Sequence, residues 1–168
     1  RLHGVKVYET PVGFKYVGPL LREDKIALGG EESAGMTIRG HLPEKDGILA
    51  CLLVAEMIAA RGSSLADQLR ELFRKVGAEF WPIRKNLHLP AETQAKLADR
   101  LGESFSEFAG RHVAKIDRTD GLQLIFDDGS WLLMRPSGTE PVVRIYTEAT
   151  KPAAAEKLAE DAQAWITK

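Results

Sequence analysis

Two short segments carry residue types that could recognise a polar ligand. The first, Ile26-Ala27-Leu28-Gly29-Gly30-Glu31-Glu32-Ser33-Ala34-Gly35, reads as a strand running into a glycine-flanked loop, where the backbone can turn sharply and approach a ligand closely. Carboxylates accept hydrogen bonds from hydroxyls, so Glu31 and Ser33 on such a loop suit a polyhydroxylated ligand such as a sugar. Gly30 to Thr37 mimics the spacing of a phosphate-binding P-loop, but Met36 stands where the lysine belongs and two carboxylates would repel a phosphate. A solvated acidic loop fits the same residues. Lys45, in Lys45-Asp46-Gly47, and Gly13 with Lys15, in Thr10-Pro11-Val12-Gly13-Phe14-Lys15, are further candidates for that edge, and each also reads as an ordinary surface residue.

The second segment is Arg135-Pro136-Ser137-Gly138-Thr139-Glu140-Pro141, followed by Arg144. A guanidinium fork binds a phosphate dianion through two parallel hydrogen bonds, and the hydroxyls of Ser137 and Thr139 can donate. Gly138 would let backbone N–H groups converge as a nest. Alternation along a strand places Val142, Arg144 and Tyr146 on one face and Val143, Ile145 and Thr147 on the other, so Arg144 can return toward the loop. An ordinary hairpin turn with exposed arginines has the same composition.

Elements of two kinds must hold these loops. Val5–Tyr8 and Ile26–Leu28 read as short strands flanking a helical stretch from Val12 to Leu21, and Ile48 to Ala60 is an apolar helix with Asp46 as N-cap and Gly62 after its end. That order, β, α, β, α, predicts an α/β layer with its loops gathered at one edge. The apolar helix is too short to span a bilayer, which takes about 20 residues, and is expected to be buried. Leu65 to Val76, capped by Ser64 and closed by Gly77, reads as a connecting helix. Beyond residue 78 the pattern changes. Pro90 opens a helix with Leu97 and Leu101; strands follow at Val113–Ile116, Leu122–Phe126, Trp131–Met134 and Val142–Thr147, separated by Asp120-Gly121 and Asp127-Asp128-Gly129 turns. A final helix from Pro152 carries Ala155, Leu158, Ala159, Ala162, Trp165 and Ile166 as the stripe that would cover the sheet. The expectation is α/β over residues 1–78, then α+β over residues 79–168 with a four-stranded, mostly antiparallel sheet.

Composition narrows the function classes. The 168 residues include 23 Lys+Arg and 24 Asp+Glu, a formal net charge of −1, with 44% hydrophobic residues. Such a chain can bury a core, and it has no global attraction for nucleic acid or anionic membrane, so any anion site must be a local cluster. Neither nucleic acid nor membrane is expected as a partner. Cys51 is the only cysteine and cannot form an intrachain disulfide, and no signal-peptide pattern occurs, which makes the cytoplasm the expected compartment.

Taken in order, ETPVGFKYV at Glu9–Val17, GGEESAG at Gly29–Gly35, KDGI at Lys45–Ile48 and RPSGTEPVVRIY at Arg135–Tyr146 resemble the α-D-phosphohexomutases, the superfamily of phosphoglucomutase and phosphomannomutase. The resemblance spans most of the chain. It implies that residues 1–78 are the C-terminal part of an α/β/α third domain, in which Glu31, Ser33 and Lys45 hold the hexose. It implies equally that residues 79–168 are the fourth domain, in which Arg135, Ser137, Gly138, Thr139 and Arg144 bind the phosphate remote from the transfer. Such enzymes interconvert hexose 1-phosphate and hexose 6-phosphate through a phosphoserine, a bisphosphate intermediate and Mg²⁺. Neither the serine loop nor the Asp-rich metal loop occurs in this sequence, so no catalytic or metal-binding residue is assigned here and the chain alone is expected to be inactive. The expected partners are a phosphorylated hexose and the N-terminal domains of the same polypeptide. GGEESAG together with ETPVGFKYV favours glucose, with mannose as the alternative; a free-standing phosphosugar-binding module is the other reading. A hinge is expected within residues 77–90.

Overall fold

A computed structural model of the chain describes residues 3–31, 33–138 and 140–168. Its backbone contacts divide it into two units, Arg1–Arg70 and Glu71–Lys168.

The first unit contains α1 (Phe14–Arg22), β1 (Leu28–Gly30), β2 (Met36–Ile38) and α2 (Gly47–Arg61). Phe14 and Val17, one turn apart, are the buried apolar side chains of α1. Val17 lies so close to Gly29 that a Cβ there would overlap it, which ties α1 to β1. The two strands pair antiparallel, Leu28 with Ile38 and Gly30 with Met36. The expected β, α, β, α layer is therefore corrected. Val5–Tyr8 has no regular secondary structure and joins no ladder among the described residues, with Val5 and Val7 exposed, because a strand exists only where a neighbour takes up its backbone groups. The acidic segment is a hairpin loop, closed where the Glu31 N–H donates to the Gly35 carbonyl at 2.8 Å and the Ala34 N–H to the Glu31 carbonyl at 3.1 Å.

Asp46 caps α2, its Oδ1 accepting from the N–H groups of Ile48 at 2.9 Å and Leu49 at 3.1 Å, and Gly62 ends the helix in the left-handed region. The expectation that this helix is buried is overturned. None of its residues is buried, and Ile48 and Leu52 are 77% and 63% exposed, because no element of the unit covers its outer face. No single described helix is long and apolar enough to cross a membrane. Next, α3 (Leu65–Val76) runs across the division between the units, with the Asp67 N–H bonded to Ser64 Oγ at its start.

The second unit contains β3 (Trp81–His88), α4 (Ala91–Leu101), β4 (Glu107–Phe108), β5 (Arg111–Asp117), β6 (Leu122–Phe126), β7 (Trp131–Pro136), β8 (Val142–Ala149) and α5 (Pro152–Ile166). Its sheet has six strands, not the four expected, in the order β3-β8-β7-β6-β5-β4, with every pair antiparallel. The four expected strands form its middle, and β3 and β4 extend it on either side. Pro82, Arg84 and Lys85 disguise β3 as a linker. At an edge, a proline without an N–H and charged side chains are tolerated because one side of the backbone needs no partner. Pairing from Trp81↔Ala149 to His88↔Val142 also rules out a hinge within residues 81–88.

One face of the sheet packs under α5. Leu122, Leu124, Leu132, Met134, Val143 and Ile145 meet Leu158, Ala159, Ala162 and Ile166 in one core. The small residues of α5 let it lie close to the strands, where Thr147 Oγ1 donates to the Ala155 carbonyl at 2.9 Å. The core fixes β7 and β8, and with them the loop that joins the two strands.

Candidate functional site

In the first unit Glu31 is the organising residue. Its Oε1 accepts from the Gly13 N–H at 2.8 Å, and its Oε2 lies 3.6 Å from Lys45 Nζ, with the carboxylate side chain only 12% exposed. Gly13 can present its N–H in this way because its φ of 123° is open to glycine alone. Lys45 is held at its post by the next residue, since Asp46 caps α2 and also contacts His41 Nε2 at 2.9 Å. The Asp46 carboxyl is held below the usual range by the Leu49 N–H first and by His41 second. A groove of about 930 Å³ has Glu31, Ser33 and Lys45 on its polar side and Cys51, Val54 and Ile58 of α2 on its apolar side.

Gly13, Glu31, Ser33 and Lys45 are thus brought together. Lys15 does not join them, since its ammonium lies 4.9 Å from the centre of the Tyr16 ring. Glu32 lies outside the described residues. Gly35 went unassigned from the sequence, yet a Cβ there would stand 3.1 Å from Lys45 Cδ and 3.3 Å from Glu31 Oε2. Only the tight closure of the hairpin loop reveals that need.

In the second unit Arg135 of β7 and Arg144 of β8 are directly opposed across the ladder. Side chains in such a pair have Cβ atoms about 5 Å apart, so the two arginines leave the sheet side by side on one face. Each guanidinium has a carboxylate: Asp120 Oδ2 is 2.9 Å from Arg135 Nη1, and Glu140 Oε2 is 3.6 Å from Arg144 Nη2. The loop between the strands is closed by the Ser137 N–H on the Val142 carbonyl at 2.8 Å and the Val142 N–H on the Glu140 carbonyl at 2.7 Å. Gly138 does not have a positive φ, and a Cβ there would meet open space. Its lack of a side chain leaves room beside the loop. Thr139 lies outside the described residues.

The sequence reading missed Asp120 as a partner, having taken Asp120-Gly121 as a turn and no more. The signal was the pair of arginines that alternation and the hairpin place side by side, since opposed like charges call for a counter-charge. Among the described residues, no group of three or more His, Cys, Asp or Glu could hold an ion. The Mg²⁺ implied by the family resemblance does not fit these residues, and no step is assigned to it here.

Two family models match the chain in order. Residues 1–76 match the phosphoglucomutase/phosphomannomutase alpha/beta/alpha domain III, and residues 85–164 match the C-terminal domain of the same family. The chain is 33% identical to a phosphoglucomutase/phosphomannomutase of Thermococcus kodakarensis over 89% of its own length and 30% of the relative's. It is 32% identical to human phosphoglucomutase-1, covering 96% of this chain and 33% of that protein. A Methanothermobacter thermautotrophicus protein assigned as a phosphoglucosamine mutase is 36% identical over 85% of this chain and 30% of the relative. A crystal structure from Thermus thermophilus, assigned as a phosphomannomutase, superposes with a TM-score of 0.77 at 33% identity, covering 98% of this chain and 32% of that one. The chain thus spans about a third of the length of the relatives it matches. With both domain types matched in order and the two loops built as described, the chain belongs to the phosphoglucomutase/phosphomannomutase family and carries sequence of its domains III and IV.

Proposed function

We propose that this chain supplies the sugar-binding and phosphate-binding parts of a phosphohexomutase that interconverts hexose 1-phosphate and hexose 6-phosphate. Glucose is the favoured sugar and mannose the alternative; the names of the relatives include glucosamine as well. The observation that carries the reading is the opposed pair Arg135 and Arg144 at the ends of β7 and β8. Residues 1–78 form the sugar-binding part and residues 79–168 the phosphate-binding part.

In this reading Glu31 accepts hydrogen bonds from the hexose hydroxyls and the Ser33 hydroxyl donates to them, with Lys45 beside them and Gly13 fixing the Glu31 carboxylate. Arg135, Ser137, Gly138, Thr139 and Arg144 clamp the phosphate that is not being transferred. That remote clamp holds the reacting hydroxyl in place, the entropic part of catalysis, and makes or breaks no bond. A bisphosphate intermediate could bind in either orientation, because the clamp recognises only a phosphate. The phosphoserine and the Mg²⁺, which stabilises charge on the transferred group, belong to the rest of the polypeptide. The chain alone is inactive, and the cytoplasm is the proposed compartment. A free-standing phosphosugar-binding module is the competing reading, and a gene that encodes a serine loop and an Asp-rich loop upstream excludes it.

The test is an assay of the whole polypeptide on glucose 1-phosphate and mannose 1-phosphate. Arg135→Ala is expected to raise KM by about 30-fold, the worth of a charge-assisted pair of hydrogen bonds. An unchanged KM, or turnover by residues 1–168 alone, would overturn the assignment.

A further inference from the structure

The proposed phosphate site contains two carboxylates as well as two guanidinium groups, and the carboxylates are unlike each other. Glu140 belongs to the loop that would close on the anion, its side chain is 62% exposed, and it stands 3.6 Å from Arg144. An arriving phosphate can displace it. Asp120 comes from a different turn, between β5 and β6, and its side chain and that of Arg135 are 31% and 15% exposed.

The turn that carries Asp120 is held against Arg135 by its backbone. Gly121, the next residue, has φ +109°, and a Cβ there would lie 2.6 Å from the Met134 carbonyl oxygen and 3.2 Å from Arg135 Cα. The adjoining ladder pairs Leu122 with Met134. Asp120 thus reaches Nη1 of Arg135 at 2.9 Å from a position set by the sheet and independent of the anion loop. A guanidinium is a planar fork of five donors, so a carboxylate fixed on one edge sets the plane in which the rest are presented.

We infer that Asp120 is a positioning residue of the phosphate site, orienting the Arg135 guanidinium toward the hexose phosphate while Glu140 is the carboxylate that gives way. The inference rests on the proposed role of Arg135. It opposes a simpler expectation: a carboxylate beside a phosphate site lowers the local positive potential, so its removal alone would tighten anion binding.

These two expectations have opposite signs. In the whole polypeptide, with whichever of glucose 1-phosphate and mannose 1-phosphate turns over faster, Asp120→Ala is expected to raise KM by about tenfold and change kcat by less than about threefold. Asp120→Asn keeps an acceptor oxygen and removes the charge, so it should bring KM back to within about threefold of the parent. In an Arg135→Ala background, Asp120→Ala should leave KM unchanged, because the residue acts through Arg135. An equal or lower KM in both Asp120 variants, while Arg135→Ala still raises it, overturns the positioning role and leaves the phosphate site standing. If Arg135→Ala itself has no effect, the phosphate-site reading fails and the positioning role with it.

Discussion

A single carboxylate shows how local hydrogen bonds become a pH dependence. Asp117 ends β5 and accepts from the Thr119 N–H at 2.9 Å, with Lys115 Nζ at 3.1 Å. The Thr119 side chain is the largest influence, followed by its N–H and then Lys115, and together they lower the Asp117 carboxyl to about 2. In the unfolded chain an aspartate titrates near about 3.9. A lowered folded value stabilises the ionised, folded form, so this contribution is complete above the unfolded value and disappears as pH falls through about 2. Thermal unfolding measured from pH 6 down to pH 2 should show the parent losing its margin over Asp117→Asn. A constant difference between the two proteins across that range would refute the assignment. The sequence reading assigned nothing to Asp117, because its acceptor role depends on how the turn after β5 closes.

At the scale of elements, the turns and the sheet edge decide what the loops can do. Gly121 needs a positive φ and leaves no room for a Cβ beside the Met134 carbonyl, with both obstacles in backbone atoms that cannot swing away. Gly121→Ala is therefore expected to cost about 2–4 kcal/mol, visible as a lower urea midpoint with an unchanged slope. A cost below about 0.5 kcal/mol would show that the turn relaxes freely. Helices and inner strands were legible because capping residues and periodicity are contiguous signals: α2 begins after Asp46 and ends at Gly62, and β6 spans the expected Leu122–Phe126. The edge strand β3 was not legible. Its Pro82 and basic residues oppose the strand pattern, and only pairing with β8 makes them compatible with it.

For the whole molecule, the two units differ in how well each can stand alone. The core residues all lie between Leu89 and Ile166, so the second unit encloses its own apolar interior. The first unit has Phe14 and Val17 as its buried large apolar side chains, whereas the 15 residues of α2 include none that are buried. Hydrophobic burial is the main term that offsets chain entropy. Residues 71–168 produced separately should unfold in one cooperative transition, and residues 1–70 should not; calorimetry on each decides, and a cooperative transition in the shorter piece would contradict this account. The motifs, their order, the helix caps and the strand periodicities were determined by the sequence alone, because each depends on residues near one another in the chain. The pairing of Arg135 with Asp120, the confinement of Gly35 by Lys45 and Glu31, and the six-stranded edge arrangement were decided by the tertiary structure. These contacts join residues from different elements, and only the packed sheet or the closed hairpin sets the register that brings such side chains within a few ångströms.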